Sequence, residues 1–160
     1  MVRIEIATML LLAALCRPAQ ALLFCGGPLS SPVTVSATAL NFGTYTPASA
    51  AAASATITVR CGTLGIDLLP GFTVSLISSG SADPSARYMS NGAAHLGYNI
   101  YTSADYSAVW GDGTAGSLTQ SFNSILALGS IGFTAWGRVP AGQYVRAGSY
   151  SDRVTVLVSY

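Results

Sequence analysis

The chain has 160 residues, seven Arg and no Lys against six Asp and Glu, a formal net charge of +1, and only 8% charged residues. Such a balance leaves no electrostatic footprint for nucleic acid or anionic lipid, and a surface this poor in charge favours association with other proteins. One histidine and three cysteines also limit the chemistry the chain can carry.

Residues 1–21 read as a signal peptide. Arg3 lies in a short n-region, 6–15 is an almost unbroken apolar run, and Ala19-Gln20-Ala21 sets small residues where a signal peptidase reads, so cleavage is expected after Ala21. An apolar run of about ten residues is too short to span a bilayer, so no membrane anchor is expected. Leu15 before Cys16 argues against a lipoprotein site.

Residues 22–32 form a short lead-in broken by Gly26, Gly27, Pro28 and Pro32. A single domain over 33–160 is then expected from its size. Residues 33–40 alternate as a first strand, Pro47 marks a turn, and the alanine-rich 48–55 reads as a flexible loop. Strands are predicted at 56–61 and 72–77. Two more, 87–89 and 95–101, are joined by Asn91-Gly92, a strong hairpin signal. A turn at 110–114 precedes strand-like stretches at 117–122, 125–128 and 133–139, and another turn at 140–143 leads to the last strand.

That last strand alternates Val154, Val156, Val158 and Tyr160 with Thr155, Leu157 and Ser159. It runs to the final residue, so either it is central in its sheet or something from outside lies beside it. Short strands separated by Gly, Ser, Pro and Asn, with no sustained period of 3.6, define an all-β sandwich or barrel.

After cleavage Cys25 and Cys61 remain, and an even pair in a secreted chain reads most simply as one disulfide, with two free thiols as the alternative. Catalysis has little to stand on. His95 is the lone histidine, and Asp105 or Asp112 could orient it, but no nucleophile turn accompanies it; a hydrogen-bonded or solvent-facing strand residue is the better reading. Five aspartates could supply a carboxylate pair for glycoside hydrolysis, but no two share a short motif; ligand spacing for a metal is missing, and Asp112 between two glycines reads as an Asx turn. No cofactor, metal or catalytic residue is expected. Trp110 and Trp136 are candidates for a sugar platform, although aromatics among strand residues more often belong to a core.

Across 33–160 several motifs occur in order: L-N-F-G-T-Y at 40–45, C-G at 61–62, R-Y-M at 87–89, Y-N-I-Y at 98–101, W-G-D-G-T at 110–114, G-R-V-P-A-G-Q at 137–143 and G-S-Y-S-D at 148–152. Together they resemble the spore coat protein U domain of archaic, Csu-type chaperone-usher pilins. The resemblance implies an incomplete immunoglobulin-like β-sandwich lacking its final strand. A periplasmic pilus chaperone and then neighbouring pilin subunits, handled by an outer-membrane usher, would supply that strand by addition to a sheet edge.

Val154, Val156, Val158 and Tyr160 are the expected docking edge. The product would be a non-enzymatic subunit of a cell-surface fimbria that serves attachment and biofilm formation. The alternative is a self-contained secreted carbohydrate-binding sandwich that uses Trp110, Trp136 and nearby tyrosines. The chain departs from the family twice. Its lead-in at 22–32 is a poor donor strand, which suggests a tip or minor subunit, and Cys25 lies eight residues before the first domain strand.

Overall fold

The computed structural model describes residues 2–8, 33–61, 71–123 and 130–159. Among these residues lie ten strands, β1 (Val2–Thr8), β2 (Val33–Ala37), β3 (Ala51–Cys61), β4 (Phe72–Ser78), β5 (Tyr88–Asn91), β6 (Ala94–Gly97), β7 (Asn99–Tyr101), β8 (Gln120–Phe122), β9 (Ser130–Val139) and β10 (Asp152–Ser159). They form one sheet in the order β1-β10-β4-β8, a second in the order β2-β3-β9-β7, and the small hairpin β5-β6. The two four-stranded sheets face each other as an immunoglobulin-like sandwich.

The period of two explains the core. On β4, Phe72, Val74 and Leu76 are buried; on β10, Val154, Val156 and Val158 are buried; on β3, Ala55, Ile57 and Val59 complete the layer. The residues between them are half-buried or exposed, so each strand turns one face inward. Burying a valine or leucine in this way contributes about 1.5–3 kcal/mol relative to exposure.

Several expectations change in detail. The alanine-rich stretch at 48–55 is not a loop throughout, because β3 begins at Ala51 and pairs with β9 from there on. The small side chains fit a crowded place: Ala53 lies opposite Gly137, where an added Cβ would come 2.6 Å from Leu40 Cδ2 and 2.8 Å from Phe42 Cζ. The expected single strand at 95–101 is two strands in different sheets, since β6 pairs with β5 whereas β7 pairs with β9. The hairpin turn is Gly92-Ala93, one residue later than the Asn-Gly motif suggests, with Gly92 at φ 60°. The expected strand at 117–122 is confined to Gln120–Phe122, and that at 125–128 lies outside the described residues.

The terminal strand occupies a central place. On one side β10 pairs antiparallel with β4, from Val154 opposite Ser78 to Ser159 opposite Thr73. On its other side lies β1, parallel, in seven register pairs from Val2 opposite Asp152 to Thr8 opposite Val158. Between residues 33 and 159, the described chain gives β10 only β4 as a partner. The strand that completes its pairing comes from the segment read as a signal peptide.

Candidate functional site

The candidate site is the β10 edge and the groove beside it. One wall is β10; the other is β2, the edge strand of the second sheet, which β1 also approaches. Of the expected docking residues, Val154, Val156 and Val158 are buried with their side chains in the core, and the register sets Ile4, Ile6 and Thr8 opposite them. Tyr160 lies outside the described residues. What β10 offers a neighbour is therefore its row of backbone donors and acceptors, with the valines beneath forming the apolar floor.

A buried polar network fixes where β10 begins. Tyr98 Oη and Ser78 Oγ donate to Asp152 Oδ2 at 2.8 and 2.6 Å, and Ser79 Oγ donates to Oδ1 at 3.3 Å. Burial and the Asp152 carboxylate together push the Tyr98 hydroxyl well above the ordinary tyrosine range, so it stays a donor.

Beside it lies Arg87, only 2% exposed. Its guanidinium donates to the carbonyl oxygens of Pro84, Leu76 and Trp110 and to Asn99 Oδ1 at 2.8–3.0 Å. Nε has no hydrogen-bond partner among the described residues. Desolvation lowers the Arg87 pKa, and the nearby tyrosine and aspartates partly oppose that shift. The motif residues Arg87, Tyr98, Asn99, Trp110 and Asp152 thus form one connected cluster, which their separation in the chain conceals.

A second cluster shapes the end of the groove. Tyr45 Oη donates to the Pro140 carbonyl and accepts from Gln143 N, each at 2.9 Å. Gln143 clamps Gly97, accepting from its N at 2.7 Å and donating to its O at 2.9 Å. Tyr150 Oη donates to the Arg146 carbonyl, and Arg146 donates to the Asn91 carbonyl at 3.0 Å. Gly148, at φ 154°, lies against the Asn91 side chain, which an added Cβ would have to displace. These ties enclose a cleft of about 540 Å³ between the segment that follows β2 and the segment that precedes β10. Its lining includes Phe42, Met89, Leu96, Val139, Val145 and Arg146.

The other candidates disperse. Trp110 is fully buried and donates its indole N–H to the Val74 carbonyl at 2.9 Å, which removes it as a sugar platform. Trp136 is half-buried on β9 opposite Tyr101, whose ring meets Tyr106 edge-on at 5.3 Å with Arg138 over the Tyr106 ring. His95 is exposed and stacks on Tyr88 at 4.0 Å.

Asp105 accepts from Ser103 and Ser107, and Asp112 from Thr114; these bonds hold both carboxyls below the usual range and belong to their own turns. Neither bonds His95. Cys25 lies outside the described residues, and Cys61, the last residue of β3, is described by its backbone position opposite Val33, so their pairing lies outside what the structure describes. Among the described residues no three His, Cys, Asp or Glu converge on a metal position.

The strand on the β10 edge is the feature that sequence reasoning missed. An alternation was legible in V-R-I-E-I-A-T, but its place at the start of an apolar leader suggested export and hid its strand character.

A two-sheet β-sandwich whose last strand is completed by a segment from outside the domain defines the class. The family profile of the Spore Coat Protein U domain matches residues 25–157, and the chain belongs to that family. Among solved structures, the CupB6 tip adhesin from Pseudomonas aeruginosa is similar at 10% identity and a TM-score of 0.37, over 97% of this chain and 40% of that one. This chain therefore corresponds to about two fifths of the length of that adhesin. No match is found among curated proteins.

Proposed function

We propose that the protein is a non-enzymatic, adhesive subunit of a chaperone-usher fimbria, exported to the periplasm and assembled at the cell surface by donor-strand complementation. The observation that carries this reading is the β10 edge: it takes a seven-residue parallel strand from 2–8, outside the matched domain 25–157. Removal of residues 1–21 leaves that edge for a strand in trans, first from a periplasmic chaperone and then from a neighbouring subunit. The valines beneath read alternate apolar side chains of the visitor, and its backbone supplies the affinity.

The lead-in at 22–32, with its two glycines and two prolines, is a weak donor, so the subunit receives a strand and passes little on. A tip or minor position follows, with a role in attachment and biofilm formation. Produced alone in the periplasm, the processed chain is expected to aggregate or be degraded, and co-expression of its chaperone to rescue it. Recovery of a stable processed monomer without any partner would sink this reading.

A second reading, carbohydrate binding, keeps one observation: Trp136, Tyr101 and Tyr106 lie outside the core cluster, with Arg138 beside them. Glycan binding that disappears in Trp136→Ala is its test.

A further inference from the structure

We propose that the cleft between 41–45 and 147–151 is the end subsite of the strand-acceptor groove. It takes the residues that immediately precede the docking strand of a partner protein, a short flank carrying one apolar side chain and one carboxylate. The proposal rests on the acceptor reading of β10 and adds to it what the partner presents beyond the paired strand.

Continuity is the first argument. The cleft walls are the segment that follows β2 and the segment that precedes β10, and β2 and β10 are the two walls of the groove. The parallel pairing starts with Val2 opposite Asp152, directly after Ser151, the last residue of the cleft wall. A parallel strand laid on β10 therefore enters from the cleft, and its upstream residues run through it.

Shape and charge are the second argument. A volume of about 540 Å³ suits a few side chains, within the range of ordinary ligand sites. Met89, Leu96 and Val139 are buried along the lining and offer an apolar floor. Arg146 is exposed, makes one bond to the Asn91 carbonyl, and meets no carboxylate among the lining residues. It is the positive group that an acidic flank would pair with. The Tyr45 and Gln143 bonds already fix the walls, so little ordering is required on binding.

The test uses the full chain with residues 1–21 retained and Glu5→Pro, at the middle of β1, where the alternation of the parallel ladder turns the backbone N–H toward β10. Two peptides are titrated: the 2–8 sequence alone, and the same sequence preceded by Asp-Leu-Gly. The longer peptide is expected to bind about tenfold more tightly, with the gain erased by Ala147→Trp, which fills the cleft, and by Arg146→Glu. Equal affinities, or a gain that survives Ala147→Trp, overturn the cleft proposal and leave the acceptor reading standing. Binding of neither peptide overturns both. If Glu5→Pro prevents folding, the same extension is placed ahead of Val2 in the otherwise unchanged full chain. A higher melting midpoint than with Gly-Gly-Gly supports the proposal, and equal midpoints overturn it.

Discussion

At the scale of single residues, Arg87 decides the most. Its four hydrogen bonds satisfy three carbonyls from three segments and the Asn99 side chain, inside a region where an unpaired acceptor is expensive. Arg87→Ala is expected to destabilise the full chain by about 3–5 kcal/mol, measured by denaturant unfolding, and Arg87→Lys to recover little of it because an ammonium lacks the planar fork. Gly137→Ala is expected to cost about 1–3 kcal/mol, because the new methyl meets Leu40 and Phe42 at 2.6–2.8 Å. The carboxyls of Asp83, Asp105 and Asp112 are held below the ordinary value of 3.8 by hydrogen bonds from their turns. Depressed carboxylate pKa values contribute stability that is present above 3.8 and lost as pH falls through the lowered values. The unfolding midpoint should therefore hold down to about pH 4 and decline below it, and a midpoint that rises on acidification contradicts this account.

At the scale of the element, β10 shows what a sequence can and cannot disclose. The alternation of Val154, Val156 and Val158 disclosed the strand and its buried face, because a period of two is a local property. Substituting the two faces separates them: Val156→Thr puts an unpartnered hydroxyl in the core and should cost about 1–3 kcal/mol, whereas Thr155→Val should change stability by less than about 0.5 kcal/mol. The neighbour of β10 was not legible. Strand pairing is set by the whole topology, and a parallel partner 150 residues away in register leaves no local trace. The alanine-rich start of β3 was missed for a related reason: apolar contrast between Ala and Ser is too small to display alternation, and only the crowding against β9 makes it a strand. Unseating β1 by Glu5→Pro should strip hydrogen-exchange protection from the β10 amides that face it while the β4 amides that face β8 keep theirs.

At the scale of the whole molecule, fold class and family were readable from short motifs in order, and the structure explains why those motifs travel together. Arg87, Tyr98, Asn99, Trp110 and Asp152 bond one another across the sandwich, and Tyr45, Pro140 and Gln143 brace its far corner. Neither the cleft nor the occupied groove could be read beforehand, since both are formed by segments that meet only in the folded chain. The parallel ladder between β1 and β10 has one further consequence, which is mechanical. Its seven register pairs lie side by side along the strand axis. A force pulling β1 lengthwise therefore loads the whole row of hydrogen bonds together, in shear, whereas a sideways pull would part them one after another like a zipper. A strand held by such a ladder should withstand tension along its own axis far better than peeling across it.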